Sequence, residues 1–99
     1  MSITNTIALP KGAKFPLGQV VITTNAQNQL NAMDVQICLK RHEAGDWGEM
    51  AQSDQRENEH ALIHEGRLMS TYKDGQGIKF WIITEWDRSV TTVLLPEDY

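Results

Sequence analysis

A chain of 99 residues, 40% of them apolar and 22% charged, has the length for one hydrophobic core and one domain, and its composition lies well inside the globular range. A net charge of −4 excludes a broad basic face that grips nucleic acid, because phosphate contacts need Lys and Arg in number, and leaves at most a local cationic spot. The single cysteine, Cys38, excludes an intramolecular disulfide, as expected in a reducing compartment.

Residues 1–14 carry scattered apolar positions, Pro10, Gly12 and two lysines with no sustained period, and read as a flexible arm; residues 15–99 then form a single α+β domain. No basic start followed by an apolar stretch marks a signal peptide, and no run nears ~20 apolar residues, so the expected setting is the cytoplasm, with no membrane partner. The β-branched run Val20-Val21-Ile22-Thr23, entered from Pro16-Leu17-Gly18, predicts a strand. A short polar helix or turn follows over residues 26–32. Asp34 is then the expected N-cap of a helix reaching Ala44, with Gly45 as its stop. Val35, Cys38, Leu39 and His42 fall at i, i+3, i+4 and i+7, one stripe that faces the core.

Gly45-Asp46-Trp47-Gly48 is a turn, and Ser53 is the expected cap of a peripheral helix that ends with His64 before Gly66. The remainder predicts an antiparallel meander of strands over 67–73, 78–85 and 90–95, joined by turns at Asp74-Gly75-Gln76-Gly77 and Trp86-Asp87-Arg88-Ser89. Ile78, Phe80 and Ile82 share one face of the middle strand and Trp81 and Ile83 the other, so it is central, with helices over one face and the arm or a partner chain over the other. The expected fold is therefore an N-terminal strand, two to three helices, and a three- to four-stranded antiparallel meander.

Three groups of residues bear chemistry. Cys38/His42 and His60/His64 are each spaced i, i+4 on a helix and formally offer four soft ligands for zinc; the competing reading places Cys38 and His42 in the core and His60 and His64 on a solvated face. Around the Trp47 turn His42, Glu43, Asp46 and Glu49 offer acid–base groups, or else Arg41 and His42 complement the helix end while Trp47 plugs the sheet edge. The hairpin Thr84-Glu85-Trp86-Asp87-Arg88-Ser89, with Thr91 and Thr92, gathers an arginine, hydroxyls and carboxylates in the manner of a phosphate-handling site, or of ordinary turn and strand residues. No glycine-rich phosphate loop and no nucleophile elbow is present, so no cofactor is expected.

The stretches Arg41-His42-Glu43-Ala44-Gly45-Asp46-Trp47-Gly48 and Trp81-Ile82-Ile83-Thr84-Glu85-Trp86-Asp87-Arg88-Ser89, with Thr91-Thr92-Val93-Leu94-Leu95-Pro96-Glu97, resemble a small bacterial family of plasmid-related proteins of mobile elements. The resemblance runs from about Phe15 to Tyr99 and implies an accessory protein of a plasmid or phage. On that footing the expected function is non-enzymatic binding of a host or mobile-element protein through Asp46, Trp47, Glu85, Trp86, Asp87, Arg88 and Ser89, with a homodimer as a further option. More remotely, helices followed by a meander are similar to the barnase/RelE-like ribonuclease architecture. That likeness implies an alternative, a metal-independent ribonuclease using His42 for acid–base work and Arg88 for the phosphate, assisted by Arg67 and Thr91 or Thr92.

Overall fold

The computed structural model describes Leu9 and residues 11–99. Apart from Leu9 and residues 11–14, the arm expected over 1–14 lies outside the described residues. Three successive β-branched side chains, stiff at χ1 and suited to a pleated backbone, make strand β1 (Gln19–Ile22). Thr23 ends it and begins helix α1 (Thr24–Gln29), its hydroxyl accepting the Ala26 N–H at 3.1 Å.

Helix α2 (Ala32–Glu43) starts earlier than the Asp34 cap predicts, because the Asn31 side chain, on extended backbone, already accepts the Asp34 N–H at 3.0 Å. The Asp34 carboxylate, freed from capping, accepts the Gly75 N–H at 2.7 Å and ties the helix start to the first hairpin turn. Helix α3 (Gln52–His64) follows Ala51 without a side-chain cap, so Ser53 lies in its first turn, and it ends after His64 as expected, at a left-handed Glu65 with φ of 56°.

The meander forms as alternation predicts: β2 (Leu68–Lys73), β3 (Lys79–Thr84) and β4 (Val90–Leu94), closed by a short 3-10 turn over Pro96–Asp98. The fold is α+β. The sheet order is β1-β4-β3-β2 with β1 parallel to β4, so the sheet is mixed where the reading from sequence had it wholly antiparallel. The cause is topological: the chain leaves β1, crosses the sheet as three helices and enters β2 at the far edge. The meander then delivers β4 beside β1 in the same direction.

Alternation assigns the faces. Phe80, Ile82, Val93 and Leu95 lie under the helices with Val35, Cys38 and Leu39 of the predicted stripe, and a second cluster gathers Phe15, Trp47, Ala61 and Leu68. The two edges differ. Beside β2, the Trp47 carbonyl and Glu49 N–H bridge Thr71 at 3.1 and 2.7 Å, while the Asn58 amide accepts from Met69 N–H at 3.1 Å and donates to its carbonyl at 2.7 Å. That edge is closed. Among the described residues nothing pairs with the outer side of β1. Also among them, no helix is long and apolar enough to cross a membrane.

Candidate functional site

His42, Trp47 and Arg88 meet around one side chain, Phe15. Its ring lies 5.2 Å from the His42 ring edge-on, 6.2 Å from the Trp47 ring in a stacked arrangement, and 5.8 Å from the Arg88 guanidinium carbon. The convergence is internal: Trp47 is 3% exposed and His42 0%. Trp47 therefore serves as a core aromatic, its Nε1–H donating to Glu59 Oε2 at 2.7 Å, and it presents no anchor to a partner.

The hydroxyls around His42 fix its tautomer. Thr91 Oγ1 donates to the Leu17 carbonyl at 2.6 Å, so across the 2.7 Å contact with Thr84 it accepts, and Thr84 is the donor. Thr84 Oγ1 in turn accepts from His42 Nε2–H at 2.9 Å, which leaves Nδ1 to accept from the Ser70 hydroxyl at 2.6 Å. The ring is neutral and both nitrogens are occupied. Burial, and then the positive charge of Arg88, push its pKa down from 6.5 to about 3.

Arg88 is equally committed. Its Nη1 donates to the carbonyls of Gly66, Glu85 and Trp86 at 2.5, 3.1 and 3.2 Å, and its Nη2 to that of Ala61 at 3.0 Å. Ala61 lies in the last turn of α3, where its carbonyl also accepts from Gly66 N–H at 2.9 Å, and Gly66 lies just beyond the helix, so the guanidinium braces the helix end from a distant hairpin. The other residues of the ribonuclease set do not join these two as a cluster. Thr91 is buried in the hydroxyl chain, whereas Arg67 and Thr92 lie on the opposite face of the sheet. The zinc set also divides, with Cys38 and His42 in the core and His60 and His64 side by side on exposed α3, ring centroids 4.1 Å apart. Among the described residues no three His, Cys, Asp or Glu side chains converge to hold a metal.

Asp46 stays at the surface, paired with Arg41 at 2.7 Å, and that hydrogen bond holds its carboxyl below the usual range. Tyr72 donates its hydroxyl to the Asp46 carbonyl while Arg41 lies 4.8 Å over its ring, so the corner is braced from within. In the last hairpin Asp87 Oδ1 accepts from Ser89 N–H and Oγ at 3.1 and 2.6 Å, the bonding of an Asx turn.

The exposed aromatics lie elsewhere. Trp86 is 62% and Tyr99 70% exposed. Between them Glu85 pairs with Arg67 at 3.5 Å, Arg67 donates to the Tyr99 hydroxyl at 2.6 Å, and the Tyr99 ring meets Trp81 edge-on at 5.7 Å. Reading the sequence singled out Glu85 and Trp86 of this set for binding and Arg67 only for the ribonuclease alternative, and missed Trp81 and Tyr99 as surface residues. The available signal was the period of β3, which turns Trp81 away from the helices. A second open feature, also missed, is a groove of about 410 Å³ between β1 and α2, walled by Val20, Ile22, Leu30, Val35, Leu39 and Val93. Set against known protein families, curated proteins and solved structures, the chain matches none.

Proposed function

We propose that the chain is a small, non-enzymatic accessory protein of a bacterial plasmid or phage, working in the cytoplasm as a protein-binding module. It docks on a host or mobile-element protein through the face bearing Trp86, Glu85, Arg67, Tyr99 and Trp81. The observation that carries the reading is the division of labour among polar and aromatic groups. Those suited to catalysis, His42, Arg88 and Thr91, spend their hydrogen-bonding capacity inside the fold. The Arg67–Glu85 pair, Tyr99 and Trp81 instead form one linked surface, and exposed Trp86 follows Glu85 in the chain, a composition that supplies most interface energy. The mobile-element origin rests on the resemblance of the stretches around Trp47 and Trp86. The ribonuclease alternative draws no support from this geometry, because a general base must reach its proton and His42 is enclosed.

The test is capture from bacterial lysate with the wild-type chain and with a Trp86→Ala/Tyr99→Ala variant as immobilised baits. Both side chains are largely exposed, so the variant keeps the fold. The expected result is a partner retained by wild type at defined stoichiometry and reduced at least about tenfold by the variant, the loss that removing a central aromatic anchor produces. Equal retention by both baits, or no partner at all, refutes the reading.

A further inference from the structure

We infer that the bare edge of β1 pairs antiparallel with β1 of a second copy, joining two four-stranded sheets into one of eight strands. This concerns a different part of the molecule from the docking face, so the two proposals stand or fall separately.

The first observation is the contrast between the two sheet edges. The β2 edge is occupied by backbone from residues 47–49 and by the Asn58 amide. The β1 edge has no such cover among the described residues, and it has none of the charges, prolines or bulges that keep strand edges apart. Its side chains Val20, Val21 and Ile22 are 43%, 38% and 36% exposed, unusual for a row of β-branched residues.

The second is register. Gln19 and Thr23 donate their N–H groups to the carbonyls of Ser89 and Val93, on the β4 side. Alternation therefore turns the N–H and C=O of Val20 and Ile22 outward. Two such strands crossing on a two-fold axis at Val21 place Val20 opposite the partner copy's Ile22 and vice versa, about four hydrogen bonds in all, with Val21 facing its own counterpart. The strand is self-complementary.

The third is charge, which opposes self-association elsewhere on the surface but not at this edge. Two chains of net charge −4 repel, and self-association is favoured only through a surface that adds no like-charge contact across the axis. From Phe15 through Met33 no side chain carries a formal charge, in a chain where 22% do. Strand pairing over so few residues is a small interface by the usual standard of roughly 1,200–2,000 Å². The apolar groove beside it, and exposed Met33 and Ile37 on the adjoining turns of α2, supply further area.

Sedimentation equilibrium of the full chain tests this, with Val21→Lys and Val21→Glu as variants. Circular dichroism confirms that each variant is folded. Wild type is expected to show twice the monomer mass at about 100 μM, and each variant alone at least a tenfold weaker association, because position 21 meets its own copy. An equimolar mixture of the two variants is expected to recover the dimer, since Lys then faces Glu. A wild type that stays monomeric, variants that associate as wild type does, or a mixture no tighter than its components would each overturn the inference. A monomer whose Val20 and Ile22 amides resist hydrogen exchange would give the edge to another segment of the same chain, and would overturn it too.

Discussion

Between pH 7 and pH 5 acidification should destabilise this protein mainly through one residue, His42. In the unfolded chain His42 titrates near 6.5, and in the fold near 3, because protonation would put a charge in the core beside Arg88 and would set Nδ1–H against the Ser70 hydroxyl proton. The folded pKa lies below the unfolded one, so between the two the unfolded chain binds the extra proton. The contribution is whole above about pH 6.5 and declines as the pH falls towards 3. With 1.36 kcal/mol per pH unit, the fall between pH 7 and pH 5 is about 2 kcal/mol, a large share of the 5–15 kcal/mol typical of a domain. The window stops at pH 5 because Asp46 and Asp98, whose carboxyls are held low by hydrogen bonds, destabilise in the same sense further down. Urea unfolding followed by tryptophan fluorescence at pH 7, 6 and 5 measures the fall. In His42→Gln most of this fall should disappear. If that variant fails to fold, the wild-type imidazole signals in NMR decide instead, since they should remain those of a neutral Nε2–H ring at pH 5. A wild-type stability flat from pH 7 to 5, or an imidazolium signal at pH 5, refutes the reasoning.

Asn58→Ala removes both clamps on Met69 and leaves that backbone unpartnered, so it should cost about 2 kcal/mol and lower Tm by about 10 °C in a calorimetric scan. A shift under a quarter of that would show the clamp to be ornamental. Gly48→Ala meets a double obstacle, a φ of 76° and a Cβ placed on the Thr71 carbonyl oxygen and 2.7 Å from the Tyr72 ring. The loss should exceed about 3 kcal/mol in urea titration, and a loss below 1 kcal/mol would contradict the closed edge. Arg88→Lys keeps the charge but lacks the planar fork that reaches Ala61 and Gly66 together, so it should recover less than half of the stability lost in Arg88→Ala, measured by thermal unfolding. Full recovery by lysine would show charge alone to matter.

The meander was legible because its signal is local: short runs rich in β-branched and aromatic residues, Thr71-Tyr72 and Phe80-Trp81-Ile82-Ile83, with turn residues between, favour paired strands whatever surrounds them. The α2 stripe was legible for the same reason, one period and one face, and all four of its members are buried. Trp47 and Arg88 were assigned to a binding surface, although the competing reading had Trp47 plug the sheet edge, where it lies; the sequence left the choice open because of distance along the chain. Whether an aromatic in a turn points out or in depends on Phe15, thirty-two positions earlier, and whether an arginine in a hairpin meets a ligand or a helix end depends on where α3 stops.

Seen alone, Ser70, Thr84 and Thr91 are ordinary strand residues, yet each occupies a helix-facing position that alternation assigns to the core. Set against a histidine in the α2 stripe, they were a readable sign of a buried polar network. Local sequence thus determined the elements, their faces and the residues to be buried, since propensity and periodicity act over a few neighbours. The tertiary structure alone decided that β1 lies parallel to β4, that among the described residues one sheet edge is closed and the other bare, and which polar groups are consumed internally. Those outcomes depend on contacts between residues tens of positions apart, whose closure no short window of sequence records.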